Sequence, residues 1–355
     1  MATLPLLTNR AAHRAKRLCR AALTLLLLAL IVPALAADAV GELHVAALAR
    51  ADDAVVGVRV TALDDAHSAE TLGHERLGSG IVIGNDGLVL TIGYLILEAD
   101  HVDLMLEGHR VVPARVIAYD QATGFGLLQA LAPVRVTPAV LGSAATLRPN
   151  DTLLVASGGP AAEISLVRLV SARPFSGYWE YHIDSALFTA PPRSDHSGAA
   201  LFNAHGELIG IGSLLLADAR PPSHPDGEQL REPGNMFVPV DLLKPILAEL
   251  RQRGSSTGSA RAWVGVNCVE EDDGEVRIVK TNDDGPAAQA GLQPGDRIVR
   301  IDGASVRGLE AFYKSLWRGG AERDVKVEIE RDGSERTLTV HAVDRMKTLI
   351  RPQGI

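Results

Sequence analysis

The side chain best suited to chemistry in this 355-residue chain is the hydroxyl of Ser197, which follows His196 directly. A serine becomes a nucleophile when an imidazole accepts its proton and a carboxylate holds that imidazole in the right tautomer. The side chain of a sequence neighbour on such a loop normally points away from the hydroxyl, so His196 is a poor substitute base. We favour the alternative that Ser197 is a small residue required by a tight turn.

Other combinations of polar residues give weaker indications of chemistry. His182 and Asp184 lie two residues apart on a strand-like stretch, where alternation puts both on one face and predicts a surface hydrogen bond. The histidines are scattered, without the close spacing that zinc sites use. The sequence therefore indicates neither a metal site nor a cofactor.

The elements that must position these residues are short strands. From Ala54 to about Val240, runs of β-branched residues or leucine alternate with Gly, Asn, Asp and Pro, which indicates a sandwich or barrel. The runs are Val55 to Val60, Ile81 to Ile83, Leu88 to Leu90, Val102 to Leu106, Val111 to Ile117, Leu153 to Ala156 and Leu208 to Ile211. Turn residues at 84–87 and 203–206 predict two hairpins.

A second unit follows a helix and a linker. Val240 to Leu250 has helical spacing, and the Gly/Ser-rich stretch 254–259 predicts a flexible linker. The alternation around Val325 to Ile329 predicts a half-buried strand with a partner at Leu338 to Val340, and Leu309 to Leu316 has the spacing of a helix. We therefore divide the chain into residues 37–250, a linker 251–261, a second domain 262–345 and a tail 346–355.

The first 36 residues read as a secretory signal. Their five charges are all positive, and an apolar run from Leu23 to Val32 precedes Pro33 and a small-residue site, with cleavage expected before Ala37. The alternative is an uncleaved membrane anchor over Ala21 to Ala37, at the lower limit of a span. Removing five of the 35 basic residues and none of the 43 acidic ones leaves a net charge of −13, which disfavours a nucleic-acid partner. Cys268 remains as the lone cysteine and reads as a small buried hydrophobe.

Three segments together resemble the HtrA (Deg) family of trypsin-like proteases. They are Gly78 to Ile83 with Asp86 to Thr91, Ser197 to Asn203 with Gly206 to Ile211, and Phe237 to Pro245. The resemblance implies a mostly β protein: a double six-stranded β-barrel followed by a PDZ domain, which is a small α+β barrel. It also places Ser197 at the nucleophile position.

The same resemblance indicates a degenerate triad. Tyr94 occupies the place of the family's histidine, and Gly124 that of its aspartate. A phenol keeps its proton at neutral pH, and glycine has no side chain to orient a base. Asp195 stands where the family has the glycine that donates to the oxyanion, and its carboxylate disfavours a negative charge nearby. We therefore expect a degenerate oxyanion loop at Asp195 and His196, and no confident catalytic residue.

The second domain resembles a PDZ domain. Residues 285–303 carry the short helix, the G-L-x-P-G-D turn and the strand ending in D-G. The resemblance implies that Trp263, Val264, Gly265 and Val266 form the loop that binds a peptide's terminal carboxylate, with the helix Leu309 to Leu316 beside the groove.

Taken together, these features predict an exported pseudo-protease that binds polypeptide C-termini or misfolded segments in envelope protein quality control. The expected location is the periplasm, or the inner membrane if the signal stays uncleaved. A homotrimer or an association with active relatives is implied by the resemblance. The alternative function is an active serine endopeptidase that uses Ser197 with a non-standard base.

Overall fold

A computed structural model describes residue 45 and residues 47–220 and 232–350. The expected signal segment 1–36 lies outside the described residues. Within the described ranges, no helix has the length and apolar character needed to cross a membrane.

The first unit is a closed six-stranded barrel. Around the barrel, neighbouring strands follow the order β1-β2-β3-β6-β5-β4. Alternate residues of β1, such as Val56, Val58 and Val60, fill the barrel interior. The strands are β1 (Val55–Ala62), β2 (Glu75–Val82), β3 (Leu88–Ile92), β4 (Ala99–Leu106), β5 (Arg110–Tyr119) and β6 (Phe125–Ala130). Helix α1 (Ala69–Leu72) connects β1 to β2. Gly87 adopts φ +80° in the β2–β3 turn, so that hairpin prediction is confirmed.

A second closed barrel follows, with the order β10-β11-β12-β9-β8-β7. Its strands are β7 (Thr152–Ala156), β8 (Ile164–Ser176), β9 (His182–Ala190), β10 (Ala200–Phe202), β11 (Leu208–Leu216) and β12 (Gly234–Pro239). The turn 203–206 joins β10 to β11 as predicted, with the Gly206 N–H donating to the Asn203 carbonyl.

The third unit is a sheet with two helices. The strand order is β13-β19-β18-β16-β15-β14, and β17 pairs with β16, so β14 is the last strand at one edge of the sheet. The strands are β13 (Ala262–Trp263), β14 (Val266–Glu270), β15 (Val276–Thr281), β16 (Arg297–Ile301), β17 (Ala304–Ser305), β18 (Arg323–Arg331) and β19 (Ser334–Asp344). The predicted hairpin pairs Val325 with Val340, and the predicted helix is Gly308–Trp317.

The connection between the units differs from its prediction in two ways. Instead of one helix from Val240 to Leu250, a 3₁₀ turn Val240–Leu242 precedes an α-helix α2 (Leu247–Arg253), because Pro245 lacks the N–H that a continuous helix needs. The Gly/Ser stretch is not loose chain: Ser256 and Ser259 are buried, and both donate to the Asp120 carboxylate of the first barrel.

The helices of the third unit are α3 (Pro286–Gln289) and α4 (Gly308–Trp317). The apolar face of α4 packs into the sheet's own core, which includes Cys268, fully buried as expected. The predicted fold class is thus confirmed: two six-stranded barrels followed by a PDZ-like sheet and helices.

Candidate functional site

Ser197 lies where the two barrels touch. The Ser79 N–H of β2 donates to the Ser197 carbonyl at 2.8 Å. The next residue, Gly198, has φ +74°, and a Cβ there would lie 2.0 Å from the Ser79 carbonyl oxygen. Only glycine fits this approach, so Gly198 fixes the tight turn that presents the Ser197 hydroxyl.

The hydrogen-bond partner of the Ser197 hydroxyl is the phenol of Tyr94. Tyr94 lies on the 3₁₀ turn Gly93–Ile96 that follows β3, and its Oη is 2.8 Å from Ser197 Oγ and 2.8 Å from the Ser213 carbonyl oxygen. The phenol has one proton, and the carbonyl can only accept. Both contacts are satisfied when Tyr94 donates to Ser213 and the Ser197 hydroxyl donates to Tyr94.

This phenol holds its proton more firmly than a free tyrosine. Burial raises the pKa of Tyr94 to about 12, and the hydrogen bond with Ser197 opposes that rise only in part. At neutral pH, roughly one molecule in 10⁵ is ionised at this position. Tyr94 is therefore a hydrogen-bonding partner of Ser197 and a very weak proton acceptor.

Gly124 lies beside the start of the 3₁₀ turn that carries Tyr94. The Gly93 N–H donates to the Gly124 carbonyl at 2.6 Å. Gly124 has φ +83°, and a Cβ there would lie 3.3 Å from Tyr181 Oη, whose hydroxyl donates to the Thr123 carbonyl. The space in front of Gly124 is thus occupied by a tyrosine from the second barrel.

The carboxylate of Asp195 has partners within the second barrel. It pairs with Arg193, whose Nε donates at 2.9 Å, and it accepts a hydrogen bond from Ser157. Burial alone would raise the pKa of Asp195, but these hydrogen bonds outweigh it and hold the pKa below its usual value.

The two histidines singled out from sequence have other partners. His196 places Nδ1 3.1 Å from the Arg193 carbonyl, and burial lowers its pKa, so the ring is neutral at pH 7. His182 forms the predicted hydrogen bond with Asp184 at 3.2 Å, but its ring is only 4% exposed rather than on the surface and also lies 2.8 Å from Ser176 Oγ.

His182 and Asp184 also come close to Glu310 of α4, in a group able to hold a metal ion by geometry. The Lys314 ammonium already lies 2.6 Å from Asp184 and 2.7 Å from the Glu310 carboxylate. A cation of the chain itself therefore balances both carboxylates, and this group is better described as an ion-pair cluster between the second barrel and α4.

The predicted carboxylate-binding loop holds a carboxylate of the same chain. Val264, Gly265 and Val266 donate their backbone N–H groups to Glu180 Oε1 at 3.2, 2.7 and 3.1 Å. Gly265 has φ +82°, which lets three successive N–H groups converge on one anion. Glu180 belongs to the segment between β8 and β9, and nothing in its local sequence indicated this role.

Trp263 plays a different part from its three neighbours. It is not among the donors to Glu180; its ring lies under the Arg345 guanidinium at 5.3 Å. Burial raises the pKa of Glu180 to about 7, although the three N–H donors and the Arg345 charge oppose the rise. The loop therefore binds an anion at a substantial desolvation cost.

Comparison with known domain families assigns both parts of the chain. Residues 78–211 match the trypsin-like peptidase domain, and residues 262–342 match the PDZ domain. The chain is therefore similar to a trypsin-like peptidase domain over the first range and to a PDZ domain over the second. This pairing, in this order, is that of the HtrA family, and the similarity to that family is supported by the relatives.

The curated relatives are named as probable periplasmic serine endoproteases of the DegP-like type. One from Halomonas elongata is 25% identical over 295 residues, 78% of this chain and 58% of its own length. One from Marinomonas sp. (strain MWYL1) is 29% identical over 279 residues, 74% of this chain and 56% of its own length. The chain thus spans little more than half the length of these relatives.

Solved structures share the fold. The HtrA-type protease AlgW with a tripeptide superposes with a TM-score of 0.52 at 20% identity, covering 88% of this chain and 99% of that one. A serine endoprotease from Yersinia pestis gives a TM-score of 0.51 at 21% identity, covering 85% of this chain and 97% of that chain.

Proposed function

We propose that this chain is an exported HtrA-like pseudo-protease that binds polypeptides and does not hydrolyse them. The observation that carries the proposal is the Tyr94 phenol on the Ser197 hydroxyl, in the position that a general base must occupy. The peptidase domain then serves as a scaffold, and the PDZ domain captures polypeptide C-termini.

The chemistry supports loss of hydrolysis at three points. The partner of Ser197 has a pKa of about 12 in place of a pKa near 7. Gly124 offers no carboxylate to orient a base. Asp195 stands where the family has a glycine that donates to the oxyanion, and its carboxylate adds negative charge to that loop. Losing the base alone costs about six decades of turnover in the subtilisin example, and such losses do not add, so the remaining machinery is not expected to compensate.

The PDZ loop supports the binding function. Three converging N–H groups with a positive-φ glycine suit the two oxygens of a terminal carboxylate, and β14 is an edge strand, the kind of strand to which a peptide adds. The relatives' names include the word periplasmic, in keeping with the signal-like N-terminal sequence, so we place the protein in the envelope and assign it to protein quality control. We also propose that the protein forms a homotrimer, as the resemblance to the HtrA family implies.

Casein turnover tests the proposal. Purified wild-type protein and its Ser197→Ala variant are incubated with fluorescently labelled casein, and peptide release is followed at neutral pH. We expect equal and negligible release from both. Release by the wild type that disappears in Ser197→Ala would refute the proposal, because it would show that this hydroxyl is activated.

The second candidate function is an active serine endopeptidase. It is favoured by the survival of Ser197 on its tight turn and by the relatives' names as endoproteases. This candidate requires that Tyr94 give way to a proton acceptor when substrate binds. A substrate-dependent cleavage that persists in Tyr94→Phe would favour it, since the phenol would then be dispensable.

A further inference from the structure

The segment between β8 and β9 lies in the PDZ groove as a ligand strand would. The Cys268 N–H of β14 donates to the Tyr178 carbonyl at 2.7 Å, and Trp179 forms an antiparallel bridge with Asn267. Main-chain pairing to an exposed sheet edge is the way that peptides add to such domains. The outer edge of β14 is thus covered by the chain's own backbone.

The end of that strand meets the carboxylate-binding loop. Glu180 follows Trp179 directly, is 5% exposed, and accepts hydrogen bonds from Val264, Gly265 and Val266. The three N–H groups cannot serve a second anion while Glu180 is present. A side-chain carboxylate therefore takes the place of a peptide's terminal carboxylate.

The other wall of the groove also holds this segment. Tyr313 of α4 donates its hydroxyl to the Gly177 carbonyl at 2.8 Å, and the next residue, Lys314, pairs with Asp184. The segment is thus fixed by β14 on one side, by α4 on the other and by the loop at its end. Tyr313 is fully buried, so this contact does not depend on a flexible surface side chain.

We propose that residues 177–180 are an internal ligand of the PDZ domain, and that a polypeptide C-terminus is captured only after displacing them. This inference rests on the proposed binding function, and it adds the step that controls binding, which is the displacement of residues 177–180 from the groove. The apparent dissociation constant of an external peptide is the intrinsic constant divided by the fraction of molecules in which the groove is open. Released Glu180 regains its hydration, which partly offsets the contacts that it loses.

The test uses a labelled peptide, Ser-Gly-Tyr-Trp-Val, which copies residues 176–179 and ends in a free carboxylate. Fluorescence anisotropy measures its affinity for the wild type, for Glu180→Ala and for the matched control Glu70→Ala, an exposed glutamate on α1. We expect Glu180→Ala to bind about tenfold tighter or more, within the range usual for coupled sites. The control is expected to match the wild type, and the amidated peptide is expected to bind none of them.

Amide hydrogen exchange gives a readout that needs no peptide. The N–H groups of Val264, Gly265 and Val266 are expected to exchange about tenfold faster or more in Glu180→Ala, while β18 stays protected. Tyr313→Phe removes only the hydroxyl that holds Gly177 and is expected to shift affinity and exchange in the same direction, which covers the case of a poorly folded alanine variant.

The outcomes separate the two claims. Equal peptide affinity for wild type and Glu180→Ala, or unchanged exchange at the loop, would overturn the internal ligand. Faster exchange at the loop in Glu180→Ala without any peptide binding would support the internal ligand and overturn C-terminal capture.

Discussion

Replacing Tyr94 with histidine tests whether a missing base is the main defect. The substitution puts an imidazole in place of a phenol that touches Ser197 at 2.8 Å. A base is worth about 10⁶ in turnover, but an imidazole without its orienting carboxylate loses about 10⁴. We therefore expect Tyr94→His to hydrolyse casein roughly 10²-fold faster than the wild-type background.

Adding Gly124→Asp is expected to help little. An aspartate there must adopt φ +83°, a left-handed conformation that costs about 1–2 kcal/mol for a residue with a Cβ. Its Cβ would lie 3.3 Å from Tyr181 Oη, so the new carboxylate meets that hydroxyl before it meets an imidazole. Asp195 also still stands where the family has the glycine that donates to the oxyanion, and such a donor is worth about 10²–10³.

The assay compares Tyr94→His with Tyr94→His/Gly124→Asp, each with a Ser197→Ala counterpart that measures contaminating proteases. The double variant is expected to stay within about tenfold of the single variant until Asp195→Gly is added. Turnover about 10⁵-fold above wild type from the double variant alone would refute this account of the Asp195 loop.

Three further predictions concern stability and binding. Asp195→Ala removes the carboxylate that pairs with Arg193, whose side chain is 7% exposed. We expect the free energy of unfolding, measured by urea denaturation, to fall by about 2 kcal/mol. An unchanged denaturation midpoint would contradict the pairing. Because the pKa of Glu180 is raised to about 7, docking of this side chain in the loop weakens as pH rises from about 4.5 to about 7. The labelled peptide should therefore bind the wild type more tightly at pH 7.5 than at pH 5. The Glu180→Gln variant should show no such trend. Asp120→Ala deprives Ser256 and Ser259 of their shared hydrogen-bond acceptor. We expect trypsin to cleave after Arg253 faster in this variant, as followed by gel electrophoresis. Equal cleavage rates would argue that these hydrogen bonds do not hold the linker.

The fold was largely predictable because its signals are local. Period-2 runs such as those around Val58 and Val325 define strands, and the turn glycines at 87 and 206 fix hairpins through their positive φ. The connection was less predictable. The composition of 254–259 suggests free chain, but composition does not reveal that the buried Asp120, more than 130 residues away, accepts hydrogen bonds from two of its serines.

In the candidate site, too, some features were predictable from the sequence and others were not. The order of motifs was enough to bring Tyr94, Gly124 and Ser197 together, since each lies at a fixed distance from a recognisable strand. The side-chain partners were not predictable: pairing of Asp195 with Arg193 depends on rotamers within one loop. Glu180 in the PDZ loop depends on how two domains dock, and no sequence pattern reports that contact.

The most direct measurement of the central claim is covalent labelling of Ser197 itself. A fluorophosphonate reacts only with a serine whose hydroxyl is activated, and intact-protein mass spectrometry reads the adduct without any assumption about substrates. With the Tyr94 phenol holding its proton beside that hydroxyl, wild-type protein should keep its unmodified mass at pH 7.5, as Ser197→Ala does. A stoichiometric adduct that maps to Ser197 would contradict the claim.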